Sequence, residues 1–200
     1  MVGALAAIVV IHPYLSLDAT VERALQAIDL GPLTMVFPFF SWIGGPGGTY
    51  MEAAVVLLVL ALNLRALLLA VAVLAGGIWY EVMVHVVNRP RPTPDQVLRV
   101  TEHPGASSFP SGHVIFIALS AAALMLCLGD RYLPPWAKPI GWVAVTAIII
   151  VVGLDRVYVG AHWPTDVLAG ALIATAWVSL LLSVRWISDR RFGRAQVDGG

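Results

Sequence analysis

Residues 66–87 read ALLLAVAVLAGGIWYEVMVHVV, an unbroken apolar run whose one acidic side chain is Glu81. A helix needs about 20 apolar residues to cross a bilayer, so this stretch reads as a membrane span. Working outward, 111–128, 140–157 and 165–187 qualify in the same way. A fifth span runs over 49–62 and extends backward, through the turn Gly44-Gly45-Pro46-Gly47-Gly48, into 33–43. Residues 1–11 are apolar but short and lack the basic start of a signal peptide. They read as the tail of a first span, short or truncated. The expected fold is all-α, an integral membrane bundle of about six transmembrane helices in a single domain over 1–200.

Composition agrees. Charged residues make up 12% of the 200 residues, about half the roughly 25% of a soluble domain. Six charges crowd into 185–200 and five more lie over 89–102, which leaves too few elsewhere to coat a water-soluble particle. The net charge is zero, so there is no electrostatic case for a nucleic-acid partner. Cys127 is the single cysteine, which excludes an internal disulfide. Residues 17–29 place Leu17, Val21, Leu25 and Ile28 on one side and Glu22, Arg23 and Gln26 on another, the pattern of a short interfacial helix. Arg65, Arg131, Lys138 and the basic residues after 184 fall on one side of the bundle, which the distribution of basic loops assigns to the cytoplasm. The connections over 89–113 and 155–162 then face outward together, across a cell membrane.

Polar groups at membrane depth are costly, so those present are functional candidates. They gather in three blocks at one membrane face: Arg89-Pro90-Arg91-Pro92, the stretch 107–113 ending Pro110-Ser111-Gly112-His113, and 155–166, running from Asp155-Arg156 to His162-Trp163-Pro164-Thr165-Asp166. Pro110 and Pro164 suit the first turn of a helix. Ser111 and Gly112 then offer free backbone N–H groups at a positive helix end, an anion site. Arg91 and Arg156 carry planar forks that match phosphate oxygens, with Arg89 beside them. His162 and Asp166 are four apart, so the carboxylate can hold one ring nitrogen and leave the other to attack. His113 remains as a proton donor. An anion cradle, a nucleophile with its orienting group and an acid suit phosphoryl transfer on an amphiphilic phosphate. His103, His113, His162 and Asp166 match no familiar metal spacing, and neither metal nor cofactor is expected.

The three blocks resemble the signature of the type 2 phosphatidic acid phosphatase superfamily: K-x6-R-P, then P-S-G-H, then S-R-x5-H-x3-D. The resemblance covers 89–166 and the six-span layout. It implies that His162 is phosphorylated, that Asp166 orients it, and that His113 protonates the leaving oxygen. Arg91, Ser111, Gly112 and Arg156 would bind the phosphoryl group. The implied activity is metal-independent dephosphorylation of a lipid phosphate or diphosphate of the polyprenyl diphosphate, phosphatidylglycerol phosphate or phosphatidic acid type. Two positions depart from the pattern: Val84 stands where it has lysine, and Asp155 where it has serine. A phosphotransferase of the same superfamily and a lipid-phosphate-binding membrane protein with little turnover are the alternatives. Glu81 with His85 is read as a polar pair packed between helices, and Glu102 with His103 as part of a solvated loop.

Overall fold

The computed structural model describes residues 2–102, 105 and 107–184. His103 and the basic tail with Trp186 lie outside the described residues. The chain runs through α1 (Val2–Ile11), α2 (Ser16–Gln26), α3 (Phe37–Ile43, entered by a tight turn over Gly31–Val36) and α4 (Gly48–Leu62). Four long helices follow: α5 (Leu64–Val87), α6 (Gly112–Tyr132), α7 (Ala137–Tyr158) and α8 (Pro164–Ser183). These four are long and apolar enough to cross a membrane. The number rises to six if each bent pair counts as one span: α1 with α2 at 99°, and the 31–62 pair at 80°. The chain is a multi-pass helical membrane protein, with spans within a few residues of those expected.

The bends follow from local chemistry. Pro13 has no N–H to continue the α1 ladder, and the glycine turn between α3 and α4 holds the chain in no single helix. Asn88 takes the left-handed conformation at φ 43° and stops α5 just before Arg89. Within the bundle α6 is central, with 67% of its span shielded by other helices against 17% for α7. Its small residues Ala118, Ala122 and Ala123 let neighbouring backbones approach, the usual basis of helix association in lipid. Ile115, Leu119 and Leu126 pack there against Val55 and Val59 of α4, Leu69 and Val73 of α5, and Ile173 and Leu181 of α8. Leu57, Val143 and Ile150 turn outward, as side chains meeting lipid do.

Helix α2 departs from the interfacial reading. Its apolar residues Leu17 and Val21 face away from the bundle, while Asp18, Glu22 and Gln26 are buried at 1%, 0% and 3% exposure. Its polar stripe faces protein instead of water because partners are waiting. The Gln26 amide donates to the carbonyls of Arg99 (2.9 Å) and Val157 (3.1 Å), and its oxygen accepts the Arg99 N–H at 2.9 Å. The helix therefore seals the end of the bundle where the three polar blocks meet. At Glu81 and His85 the expectation of a packed pair gives way: both are exposed, and His85 Nδ1 bonds the Glu81 backbone oxygen at 2.7 Å.

Candidate active site

The third block is shaped by the end of α7. The Ala161 and His162 amides both donate to the Arg156 carbonyl, at 3.0 and 3.2 Å, and Gly160 reverses the chain at φ +75°. A Cβ at Gly160 would stand 2.1 Å from the Arg99 oxygen, so glycine is required on both counts. Pro164 opens α8, and Asp166 reaches back to accept the Trp163 N–H at 2.9 Å, one half of a capping box.

His162 is buried at 2% exposure. Its Nδ1 lies 2.7 Å from the Ser108 carbonyl oxygen, which can only accept, so the proton sits on Nδ1. Nε2 keeps its lone pair and accepts from Arg91 Nη1 at 3.3 Å. Burial, then the Arg91 and His113 charges, hold the imidazole well below its ordinary range, and the Ser108 bond only partly offsets them. The ring is neutral and its free nitrogen faces a guanidinium. Arg91 is fixed by donating to the carbonyls of Ala161 (2.6 Å), Ser107 (2.6 Å) and Gly105 (2.9 Å). Burial lowers its pKa from the usual arginine range.

On the facing side, His113 Nε2 lies 3.1 Å from the Ser41 carbonyl and 3.3 Å from Arg156 Nη1. The carbonyl places a proton on Nε2, the nitrogen from which the ring, once cationic, would act as a general acid. The two imidazole centroids are 6.4 Å apart. The glycine turn after α3 makes room for His113: a Cβ at Gly44 would come 2.6 Å from its Cδ2. Arg156, fully buried, donates to Asp155 Oδ2 through Nη2 at 2.7 Å and Nε at 3.1 Å. It also donates to Glu102 Oε2 at 2.7 Å and to the Ser41 hydroxyl. The Asp155 carboxylate therefore pairs with arginine.

Four of the expected residues thus converge: His162 with Arg91, and His113 with Arg156. Others stand differently. The Asp166 carboxylate is 3.9 Å from His162 Nδ1, beyond hydrogen-bond distance, and the Ser108 carbonyl makes that bond. Arg89 is fully engaged behind the site. It donates to Asp18 Oδ2 (2.6 Å), Asp166 Oδ1 (2.6 Å), Thr165 Oγ1 (2.7 Å) and the Pro13 carbonyl (2.9 Å). The Ser111 amide donates to the Asp166 carbonyl at 3.0 Å, so it is not a free helix-end donor. Its hydroxyl, however, is buried and has no partner among the described residues. Gly112 begins α6 against Tyr80, whose ring a Cβ would meet at 2.9 Å. Among the described residues no three of His, Cys, Asp and Glu stand close enough to share a metal ion.

Glu102 is the residue the sequence misplaced. Its carboxylate bridges Arg156 and the Ser41 hydroxyl, the latter at 2.7 Å. Burial pushes its pKa up, but the bonds from Arg156 and Ser41 outweigh that and hold it below the usual range. An anion therefore already occupies the outer edge of Arg156. The signal available was a lone carboxylate closing the charge cluster over 89–102. Asp18 was legible as the start of an i, i+4, i+8 polar stripe with Glu22 and Gln26.

Residues 65–191 match the family model described as the PAP2 superfamily. Among curated relatives, an undecaprenyl-diphosphatase of Sulfolobus acidocaldarius is 38% identical over 74 residues, 37% of this chain and 31% of that protein. A lipid A 1-phosphatase of Rhizobium johnstonii is 43% identical over 82 residues, 41% of this chain and 29% of that one. The matched segments thus span about a third of those relatives. The transmembrane PAP2-type phosphatidylglycerolphosphate phosphatase of Bacillus subtilis superposes with a TM-score of 0.72 at 23% identity, over 90% of this chain and 89% of that one. LpxE of Aquifex aeolicus superposes at 0.66 and 20% identity, over 86% and 98%. The shared fold and the family match define a helical membrane protein of one superfamily. The chain belongs to the PAP2 superfamily.

Proposed function

We propose that this chain hydrolyses the terminal phosphate of a lipid phosphate or diphosphate through a phosphohistidine on His162. The observation that carries the reading is the meeting of four side chains from three separated blocks. Arg91 is 3.3 Å from His162 Nε2, Arg156 is 3.3 Å from His113 Nε2, and the imidazoles are 6.4 Å apart. The phosphoryl group would be held between the two rings, nucleophile on one side and acid on the other.

In the first step the His162 Nε2 lone pair forms the N–P bond while the bond from phosphorus to the leaving oxygen breaks, and His113, entering the step as the imidazolium beside the bound phosphate, gives that oxygen its Nε2 proton and is left neutral. The guanidinium groups of Arg91 and Arg156 stabilise charge on the equatorial oxygens, together with the unpartnered Ser111 hydroxyl. The proton on His162 stays on Nδ1, which donates to the Ser108 carbonyl, with Asp166 close enough to favour the ring as it becomes cationic. In the second step water gives a proton to His113 and its oxygen attacks phosphorus. The N–P bond then breaks and inorganic phosphate leaves. Glu102 holds the Arg156 edge between turnovers and is exchanged for the substrate phosphate.

The substrate belongs among polyprenyl diphosphates, phosphatidylglycerol phosphate and phosphatidic acids, held with its tail among the helices of the cytoplasmic membrane and its phosphate at the outer face. The undecaprenyl diphosphate and lipid A activities named for the relatives support this range. The test is phosphate release from detergent-solubilised protein over these lipid classes, with an acceptor alcohol in a parallel arm. Release to water, lost in His162→Ala, is expected. Transfer of phosphoryl to the alcohol in place of water would make the chain a phosphotransferase, and binding without release would make it a carrier.

A further inference from the structure

A hollow lies on the far side of Ser41 and Glu102 from His113 and Arg156. His113, which would protonate the leaving oxygen, rests on the Ser41 carbonyl. Ser41 and Glu102 line a hollow of about 780 Å³ that continues past Trp42 and Tyr158 to Arg99.

Arg99 is placed there by more than one constraint. Its backbone is clamped by both polar atoms of the Gln26 side chain, at 2.9 Å each. Its guanidinium carbon lies 4.2 Å from the centroid of the Tyr158 ring. Its Nη1 is shut off from solvent and has no hydrogen-bond partner among the described residues. A buried guanidinium N–H left unpaired is costly, and a phosphate in the hollow repays it with a charge-assisted bond once the partly exposed side chain turns that nitrogen outward. Glu102 faces the same hollow, but Arg156 and Ser41 already hold its carboxylate. Its side chain is 32% exposed, which leaves it room to swing aside.

We propose that this hollow is a subsite for a second phosphate on the leaving side of the substrate, with Arg99 as its binding residue. The proposal rests on the hydrolytic reading above and narrows its substrate class to lipids carrying two phosphates. It also puts a cation on the leaving side in a chain that has Val84 at the family's lysine position. Two sources share this chemistry: the inner phosphate of a polyprenyl diphosphate, and the diester phosphate of phosphatidylglycerol phosphate, one glycerol further out.

The experiment compares wild type, Arg99→Gln and Arg99→Lys on four lipids in detergent. Farnesyl diphosphate and phosphatidylglycerol phosphate carry the second phosphate, whereas farnesyl monophosphate and phosphatidic acid lack it. Arg99→Gln is expected to raise KM by roughly ten- to a hundredfold on at least one of the first pair. KM on the second pair and kcat throughout stay near wild type, and Arg99→Lys recovers part of the loss. A loss confined to the diphosphate places the subsite next to the scissile phosphate, and one confined to phosphatidylglycerol phosphate places it deeper. Because both substitutions keep the Arg99 backbone bonds to Gln26, the unchanged monophosphate kinetics report an intact fold. Equal change on all four lipids overturns the subsite and leaves the hydrolytic reading standing. Absence of release from all four by wild type overturns both.

Discussion

Replacing Arg89 by methionine separates two roles that the sequence could not tell apart. As a phosphate ligand, Arg89 would be dispensable to folding and costly to KM. In the structure it is a brace: its side chain has no exposure and pairs at 2.6 Å with both Asp18 (1% exposed) and Asp166 (0%). Arg89→Met strands two carboxylates against each other in a site closed to water. Breaking one buried pair costs about 3–5 kcal/mol, and the two pairs here share one cation, so their costs do not simply add. In a chain of this length, about 1 kcal/mol moves the thermal midpoint by roughly 2–4 °C, which gives a drop of roughly 6–20 °C. Cys127 is buried and the only thiol, so a thiol-reactive dye reads unfolding in detergent from one site. Adding Asp18→Asn to the Arg89→Met variant removes one stranded charge and should restore part of the midpoint. An Arg89→Met protein that melts with wild type and loses only substrate affinity would return Arg89 to the phosphate cradle and refute the brace.

Other consequences are as direct. Glu102→Gln removes the carboxylate that competes for Arg156, and since that pair is partly exposed and worth at most about 1 kcal/mol, KM should fall by up to about fivefold; a raised KM would mean Glu102 assists binding. Burial holds the His162 imidazole below its ordinary range, so nitrogen NMR of labelled histidine should find the ring still neutral at about pH 6, where a free imidazole is mostly protonated. The same shift has a sign for stability. The unfolded chain takes up a proton that folded His162 refuses, so this contribution is lost as pH falls below the unfolded value near 6.5; a midpoint flat through that window in wild type, matching His162→Asn, contradicts it. Gly160→Ala forces a Cβ into the Arg99 carbonyl at a positive φ and should lower the thermal midpoint and activity together. Chelation with EDTA should leave phosphate release unchanged, and a loss restored by a divalent cation would require a metal in the mechanism.

Most of the bundle could be read from apolar run length, because lipid imposes a minimum span that sequence displays directly. The convergence of Arg91, His113, Arg156 and His162 was legible for a related reason: polar groups survive at membrane depth only where they meet partners. What escaped was which partner each one takes. Asp166 sits at the expected i+4 position to His162, yet its oxygens are held by the Trp163 amide and Arg89. A carbonyl from Ser108, 54 residues away, takes the imidazole proton instead. Spacing along a helix cannot reveal a carbonyl from a distant loop. Helix α2 was misjudged because a polar stripe looks the same whether it faces water or Arg89. Glu102 was assigned to solvent because nothing local distinguishes a loop carboxylate that folds back onto an arginine.

The phosphohistidine on His162 can be caught directly. Lipid diphosphate labelled at the terminal phosphorus, mixed with enzyme and quenched in alkali, tests it by mass spectrometry of the digested protein. An acid-labile, alkali-stable phosphoryl group is expected on the peptide containing His162, absent from His162→Ala together with phosphate release. Release at the wild-type rate by His162→Ala, or label found on His113 instead, would contradict it.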